Sequence, residues 1–369
     1  MLEVPPLSLY VHIPWCIRKC PYCDFNSHPT DGALPQRDYI AALCEDFDDE
    51  VSRYEALQGR EIETIFIGGG TPSLFDASSF ETLLDHLSRK ATLSRDIEIS
   101  LEANPGSVEA NALEGSNRFK QFRAAGINRH DGKQARMAID SAQAAGFNNL
   151  NLDLMHGLPD QSVESALADL QTAIDYKPDH LSWYQLTIEP NTVFYRKPPP
   201  LPAEDQLLEI QQQGIAILES NGFARYEVSA FAQEQRQCIH NLNYWQFGDY
   251  LGIGAGAHGK LSNPSSGIIL RSRKLKQPEH YLHNNVNRAA ERVEIGPEDR
   301  ALEFLLNALR IRQGFPIELF ENRTDLPFDS IRKKVAYLAS NDLLSIKDSS
   351  ISTTEVGYGL LNSILEEFL

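Results

Sequence analysis

The sequence has little positive charge, few cysteines and no long apolar run. No apolar stretch reaches the about 20 residues that a membrane-spanning helix needs, so we expect no integral membrane protein. The chain has 34 Lys and Arg against 51 Asp and Glu, for a net charge of −17, which argues against a nucleic-acid-binding protein. Its first residues lack the basic start and apolar stretch of a signal peptide. We therefore expect a cytoplasmic protein that binds no nucleic acid.

The five cysteines are an odd number, and three of them, Cys16, Cys20 and Cys23, are close together in the chain. A disulfide framework would scatter cysteines across loops, so metal or redox chemistry in a reducing compartment fits this spacing better. Cys44 stands alone in a predicted helix, and we interpret it as a small core residue.

Three clustered thiolates favour a soft metal, which leaves iron–sulfur, zinc or copper(I). A zinc site would need a fourth ligand, and His28 is the only near candidate. A redox Cys20-Pro-Tyr-Cys23 dithiol would leave Cys16 unexplained. A 4Fe–4S cluster held by three thiolates leaves one iron open for another molecule. We favour the cluster, with zinc and a dithiol as the alternatives.

The first half of the chain alternates short β-rich runs with longer helical patterns. The predicted strands cover 9–13, 64–67, 97–101, 150–154 and 181–186, and the predicted helices cover 38–54, 79–88, 162–174 and 203–220. This order predicts an α/β fold with a parallel sheet, closed or partly closed as a barrel. In such barrels functional groups lie at the carboxyl ends of the strands.

One stretch interrupts this order. Helices are predicted over 117–125 and 132–145, and only Ile127–Asp131 lies between them. That is too short for a strand with two loops, so we expect one βα unit to be truncated near 127–131.

The pattern changes near residue 296. Helices over 300–310 and 330–340, a hairpin over 344–353 and a last helix over 355–368 resemble a winged-helix module. We therefore divide the chain into a barrel domain (1–295) and a C-terminal accessory domain (296–369). A basic cluster just before it, Arg271, Arg273, Lys274 and Lys276, is interpreted as a solvated loop, with an anion-contacting role as the alternative.

A glycine pattern at 254–259 satisfies GxGxxG. Turn residues follow it, whereas a dinucleotide site requires a helix there, so we reject a Rossmann interpretation.

The cysteine triplet CxxxCxxC follows a Tyr10-x-His12-x-Pro14 strand, and Gly-Gly-Gly-Thr-Pro-Ser (68–73) comes later. Together these segments resemble the radical S-adenosylmethionine superfamily. The resemblance implies that the open iron of the cluster chelates the methionine part of S-adenosylmethionine. The residues it implies at that cofactor are Tyr10, Tyr22, Gly69, Gly70, Thr71, Glu102 and Asp153.

Three further phrases, LDLMHGLP (152–159), YQLTIEPNT (184–192) and HNLNYW (240–245), resemble the HemW-type haem chaperones. These are relatives of the oxygen-independent coproporphyrinogen III oxidases. The resemblance implies a haem site at His240, Tyr244 and Trp245, and delivery of haem to acceptor proteins, often respiratory and membrane-associated. The alternatives are a coproporphyrinogen oxidase, whose pattern has a cysteine where Phe25 stands, and a structural iron–sulfur protein.

The match to the family fails after Arg129. The family pattern continues with a strand containing Ser-x-Gly-x-Gln-Ser, whereas this chain goes directly to His130. About twenty residues, the size of one βα unit, are absent. In relatives they carry a Gln and an Arg that contact S-adenosylmethionine. We therefore expect a gap in the barrel filled by rearranged loops, or a weakened cofactor site.

Overall fold

The computed structural model describes residues 2–30, 32–103, 129–133, 136–284 and 287–369. The strands are β1 (Leu7–Ile13), β2 (Trp15–Cys16), β3 (His28–Pro29), β4 (Glu61–Gly69), β5 (Thr92–Ala103), β6 (Arg129–Lys133), β7 (Leu150–His156), β8 (His180–Gln185), β9 (Ala224–Arg225), β10 (Ala230–Ala232), β11 (Asp249–Ile253), β12 (His258–Asn263), β13 (Ile268–Lys274), β14 (Ala289–Glu294), β15 (Phe315–Pro316), β16 (Leu344–Lys347) and β17 (Ser350–Thr353). The helices are α1 (Gln36–Arg53), α2 (Ala77–Lys90), α3 (Arg136–Ala144), α4 (Val163–Asp175), α5 (Val193–Arg196), α6 (Glu204–Ser220), α7 (Ile239–Trp245), α8 (Pro278–His283), α9 (Pro297–Ala308), α10 (Ile317–Thr324), α11 (Arg332–Ser340), α12 (Glu355–Gly359) and α13 (Leu361–Glu366).

One twelve-stranded sheet forms the body of the molecule, in the order β14-β13-β12-β11-β1-β4-β5-β6-β7-β8-β10-β9. The strands from β11 through β8 in that order pair in parallel, and antiparallel strands extend both edges. Among the described residues the two edge strands, β14 and β9, do not pair with each other. The predicted α/β fold, a partial barrel open on one side, is confirmed.

Alternation along β1 separates the two faces of the sheet. Leu9, Val11 and Ile13 are fully buried and pack in the same core as α1 and α2. The intervening Ser8, Tyr10 and His12 lie on the opposite, inner face, because successive side chains of a strand alternate. Cys44 of α1 is half-buried against the outer core, as predicted.

The stretch that seemed too short for a strand contains one. Strand β6 pairs in parallel with β5 on one side and β7 on the other, so the sheet has no gap there. The prediction of a gap was therefore wrong, and the helix predicted from Gly132 begins instead at Arg136. Without this strand, β5 and β7 would each leave backbone groups unpaired, which explains why a short strand forms. The helix predicted over 117–125 lies outside the described residues.

The antiparallel edge β11–β14 was not predicted, and it corrects the interpretation of the basic cluster. Arg271, Arg273 and Lys274 lie on β13 rather than in a solvated loop. Lys274 is buried, and its Nζ bonds Asp46 Oδ1 at 2.5 Å and Glu50 Oε1 at 2.6 Å. Lys274 therefore joins the sheet edge to α1. The rejected GxGxxG segment joins β11 to β12 without a helix, as predicted.

The C-terminal residues form helices around the small sheet β15-β17-β16. The predicted hairpin is present as β16 and β17. The prediction of one continuous helix at the C-terminal end was wrong, because α12 and α13 are separated at Leu360. The core of this part includes Phe304, Phe320 and Ile351, together with Leu2 and Ile269 from the barrel side. The domain boundary at 295/296 stays a prediction. No helix among the described residues is both long and apolar enough to cross a bilayer.

A buried ion group holds β11 to its neighbours. Asp249 is fully buried and accepts bonds from Arg60 Nη1 at 2.8 Å and Lys260 Nζ at 2.9 Å. Ser262 Oγ donates a third bond at 2.8 Å. Burial lowers the pKa of Lys260, and the Asp249 carboxylate opposes that shift. Removing one partner of such a group leaves an uncompensated buried charge.

We predict that Asp249→Ala lowers the free energy of unfolding by about 3–5 kcal/mol, because Lys260 then stays buried without its carboxylate. Urea unfolding of the variant and the wild type measures the difference. The control is Arg332→Ala, which breaks an exposed pair with Asp329 and should cost less than about 1 kcal/mol. Equal effects of the two substitutions would contradict this account of the fold.

Candidate metal and cofactor site

The carboxyl ends of β1, β4 and β5 meet at one mouth of the open barrel. The segment after β1, which we call the cysteine loop (residues 14–30), carries all three clustered cysteines. The amide of His28 donates to Pro14 O at 2.7 Å, and the amide of Thr30 donates to Cys16 O at 2.9 Å. These bonds close the loop on itself. The predicted position of the triplet at the end of a barrel strand is confirmed.

The three thiols fit an iron–sulfur cluster by their chemistry and their shared loop. Cys20 is exposed, while Cys16 and Cys23 are partly buried. Burial raises the pKa of Cys16, hydrogen bonds with Thr71 and Ser27 oppose this shift, and the neighbouring Cys23 and Cys20 thiolates raise the pKa further. The cysteines are therefore close enough to influence each other. Within the described ranges no three His, Cys, Asp or Glu side chains are grouped as ligands of a metal ion.

His12 joins three segments beneath this loop. Its Nε2 lies 2.8 Å from Asn26 O, and its Nδ1 lies 2.9 Å from the Tyr10 hydroxyl. A carbonyl only accepts, so Nε2 carries the proton and the tyrosine donates to Nδ1. Burial lowers the pKa of His12 to about 4, against the opposing effect of the Asn26 bond. The imidazole is therefore neutral near pH 7, and its tautomer is fixed.

The predicted glycine turn, Gly68-Gly69-Gly70-Thr71, packs directly on this assembly. The amide of Gly70 donates to Ile13 O at 2.8 Å, and the amide of Thr71 donates to Trp15 O at 2.7 Å. Gly69 has a φ of 116°, and a Cβ atom there would lie 2.6 Å from the His12 ring. This position therefore excludes a side chain both by conformation and by space.

Glu102 and Tyr10, two of the predicted cofactor residues, lie next to this turn. Glu102 Oε2 accepts a bond from the amide of Gly69 at 3.1 Å. Burial raises the pKa of Tyr10, and the charge of Glu102 adds to that shift. The structure thus brings Tyr10, Gly69 and Glu102 together beside the cysteine loop.

Two other predicted cofactor residues lie on β7 and in the cysteine loop. Asp153 is on β7, on the same sheet face as Glu102 by register, and its Oδ1 accepts a bond from Asn151 Nδ2 at 3.0 Å. Tyr22 packs against Phe194 of α5, with ring centroids 6.3 Å apart. Their role at the cofactor stays a prediction.

The predicted haem residues lie on α7, at the opposite end of the barrel interior. His240 is 1% exposed, and its Nδ1 lies 2.7 Å from Thr64 Oγ1. Its ring stacks on Phe66, with centroids 5.2 Å apart. The carboxylate of Glu98 accepts bonds from the amides of Ile239 and His240 and so caps the start of α7.

The side chains of α7 do not share one exposed face. Tyr244 packs edge-on against Tyr250, with ring centroids 4.3 Å apart. Trp245 lies under the guanidinium of Arg310, which is 4.3 Å from the ring centroid, next to the C-terminal helices. The haem role of His240, Tyr244 and Trp245 stays a prediction.

Sequence reasoning missed the structural roles of His12, Asn26 and Tyr39. His12 was part of a quoted motif, and its period-two spacing from Tyr10 could have placed it on the inner face of β1. Tyr39 donates to His12 O at 2.8 Å from α1, and no local pattern signals this contact. The bonds of Asn26 span more than 200 residues of sequence, so they too leave no local signal.

Family models match two parts of the chain: the radical SAM superfamily over residues 10–172 and the HemN C-terminal domain over residues 295–360. The chain is 45% identical to the heme chaperone HemW of Escherichia coli (strain K12), over 100% of both chains. The chain belongs to the HemW family.

More distant members also resemble this HemW-family chain over nearly its whole length. It is 30% identical to heme chaperone HemW of Bacillus subtilis (strain 168), over 98% of this chain and 99% of the relative. It is 31% identical to the mitochondrial radical S-adenosyl methionine domain-containing protein 1 of Bos taurus, over 98% of this chain and 87% of that protein. The structure of coproporphyrinogen III oxidase (HemN) from Escherichia coli has the same fold, with a TM-score of 0.79 at 24% sequence identity. The match covers 99% of this chain and 90% of that structure.

The comparison with the Escherichia coli relative also bears on the shortened segment. The alignment runs over 388 positions, while this HemW-family chain has 369 residues. At least 19 positions of the alignment therefore have no residue in this chain. That number agrees with the size of the βα unit whose absence the motif pattern indicated.

We predict that His12→Phe changes how stability depends on pH. The unfolded state takes up a proton on His12 below pH 6.5, but the folded state does so only near pH 4, so acid favours unfolding of the wild type. This single group should cost the wild type about 3 kcal/mol between pH 7 and pH 4. The variant lacks that loss, so its deficit at neutral pH should shrink in acid. Urea unfolding at several pH values measures both curves.

Arg332→Ala serves as the control for this series, and its curve should run parallel to that of the wild type. A constant difference between His12→Phe and the wild type from pH 7 to pH 4 would show that the His12 imidazole is not held neutral.

Proposed function

We propose that this chain is a haem chaperone that binds a 4Fe–4S cluster, S-adenosylmethionine and haem, and delivers haem to acceptor proteins. The observation that carries the proposal is the 45% identity to a heme chaperone over both full lengths. The position of the three thiols at the mouth of a radical SAM-type barrel supports it independently.

Cys16, Cys20 and Cys23 are the proposed cluster ligands, since soft thiolates are the donors that iron–sulfur clusters prefer. When bound, such a cluster supplies a single electron and one iron that is open to S-adenosylmethionine. The protein's own task is to hold the loop over the barrel mouth. The Tyr10–His12–Asn26 chain of hydrogen bonds does so from below.

The cofactor would lie against the glycine turn, with Gly69, Gly70 and Thr71 offering close backbone approach. The carboxylates of Glu102 and Asp153 would accept bonds from its hydroxyl or amino groups, and Tyr10 and Tyr22 would border it. The shortened segment removes family contacts from this site. We therefore propose that S-adenosylmethionine binding is weaker here than in full-length relatives, while the cluster ligands are intact.

The proposed haem residues are His240, Tyr244 and Trp245. An imidazole can ligate haem iron, and the two aromatic rings can cover a porphyrin face. Because His240 is buried beneath Phe66, haem can reach it only if α7 leaves its place on the barrel floor. Haem binding at this site therefore includes a movement of α7.

The acceptors are proposed to be haem proteins of the respiratory kind, reached from the cytoplasm. An oxygen-independent coproporphyrinogen III oxidase is the competing function within the same fold. The position where that enzyme's pattern has a further cysteine is Phe25 here, which favours the chaperone. Formation of protoporphyrinogen from coproporphyrinogen III by the reconstituted protein would reverse this preference.

We predict that Cys16→Ser, Cys20→Ser and Cys23→Ser each reduce iron and inorganic sulfide after anaerobic reconstitution by at least about tenfold, because each removes a thiolate ligand. Metal and sulfide analysis with a visible spectrum measures the loss. Cys44→Ser is the matched control and should bind as much iron as the wild type, since Cys44 lies in the outer core. Zinc without sulfide in the wild-type protein would refute the cluster.

We predict that hemin raises the hydrogen-exchange rate of amides 239–245, because α7 must unpack before His240 can reach the iron. In the same titration His240→Ala should weaken hemin binding and shift the visible spectrum. His283→Ala, an exposed histidine on α8, is the control and should titrate like the wild type. Bound hemin with unchanged exchange at α7 would mean that the haem site lies elsewhere.

A further inference from the structure

Asn26 connects the cysteine loop to a distant part of the sheet. It follows Cys23 by three residues, and its side-chain Nδ2 donates to Ala255 O at 2.8 Å and to Lys276 O at 2.9 Å. Both hydrogens of the amide are therefore used. Ala255 lies between β11 and β12, and Lys276 follows β13, so one side chain bridges two segments of the antiparallel edge.

The segment that receives Asn26 is itself fixed through its backbone. The amide of Gly254 donates to the Tyr281 hydroxyl at 3.0 Å, and the amide of Ala255 donates to the Tyr39 hydroxyl at 2.8 Å. The amide of Gly256 donates to Leu275 O at 2.8 Å. Three consecutive backbone amides are thus bonded to three different segments of the chain. The carbonyl of Ala255 is consequently a rigid acceptor.

The rejected glycine motif gains a structural explanation from this contact. Gly256 has a φ of 83°, and a Cβ atom there would lie 2.3 Å from Asn26 Nδ2. Only a residue without a side chain leaves room for the asparagine amide. Gly256 therefore allows the close approach of the cysteine loop to this segment.

Further bonds hold the same residue from other directions. The backbone carbonyl of Asn26 accepts the proton of His12 Nε2 at 2.8 Å. Its side-chain Oδ1 lies 3.3 Å from His28 Nε2. Asn26 is therefore attached through its main chain to β1 and through its side chain to the antiparallel edge.

We propose that Asn26 is a positioning residue that clamps the cysteine loop to the 254–256 segment and to Lys276, so that the loop holds its cluster at a fixed place over the barrel mouth. This inference rests on the proposed cluster. It adds that cluster retention depends on a side chain that is not a ligand. Loss of the clamp frees the end of the loop that follows Cys23, so the cluster is held less firmly.

The test compares Asn26→Ala and Asn26→Asp with the wild type, all reconstituted anaerobically as full chains. We expect a chelator to remove iron about tenfold faster from Asn26→Ala, because the two hydrogen bonds that attach the loop to Ala255 and Lys276 are lost. Asn26→Asp should lose iron at least as fast, since its carboxylate would face two carbonyl oxygens. The electron paramagnetic resonance spectrum of the reduced cluster should also change in both variants, which a mere loss of stability would not produce.

Gly256→Ala provides a second route to the same result, because its added methyl group pushes against the Asn26 amide while the asparagine stays in place. Asn341→Ala is the matched control: it removes an exposed asparagine that donates to Tyr337 O in the C-terminal part. Thermal unfolding of each apoprotein identifies any variant that fails to fold.

The outcomes separate this inference from the proposed function. If the wild type takes up no cluster, the proposed function fails. If the wild type takes up a cluster while folded Asn26→Ala and Gly256→Ala keep the wild-type spectrum and rate of iron loss, the clamp is refuted. Iron loss that is equally fast in Asn341→Ala would also refute it.

Discussion

The mouth of the barrel depends on one neutral, buried imidazole. Burial keeps His12 neutral, and in that state its Nε2 donates to the Asn26 carbonyl while its Nδ1 accepts from the Tyr10 hydroxyl. The same ring fills the space against Gly69. Strand β1, the glycine turn and the cysteine loop therefore meet on one side chain that is neither a cluster ligand nor exposed.

The backbone of the cysteine loop is hydrogen-bonded at several points. Its start is bonded through the Pro14 and Cys16 carbonyls, and its later part through Asn26. The stretch that carries Cys20 and Cys23 is bonded as well, because the amide of Phe194 donates to Pro21 O at 3.0 Å. Ordering a loop costs conformational entropy, and here much of that cost is met during folding of the barrel.

Local sequence patterns predicted the parallel strands and the position of the three cysteines in the loop after the first strand. Buried strands such as β1 have a continuous β-rich run, and the outer helices follow with clear periodicity. The antiparallel edge was missed because β13 contains Arg271, Arg273 and Lys274, whose charges resemble a solvated loop. Their partners, such as Asp46 and Glu50, lie far away in sequence, so only the folded structure shows why these charges belong in the sheet.

The same limit explains the error at β6 and leaves the orientation of α7 unpredicted. A five-residue strand is invisible to periodicity, and it forms because β5 and β7 offer backbone groups for pairing on both sides. The sequence predicted haem-binding residues in the HNLNYW segment, and the structure places its histidine inside the barrel. Which way a short helix faces is decided by tertiary contacts, here Thr64, Phe66 and Glu98.

Strand β5 carries two carboxylates on its inner face that serve opposite ends of the barrel. Glu102 bonds the glycine turn at the mouth, and Glu98 caps α7 at the floor. Glu98 precedes Glu102 by four positions, which is about 13 Å along an extended strand. Because one strand carries both carboxylates and is paired with β4 and β6 on its two sides, it sets the distance between the glycine turn and α7.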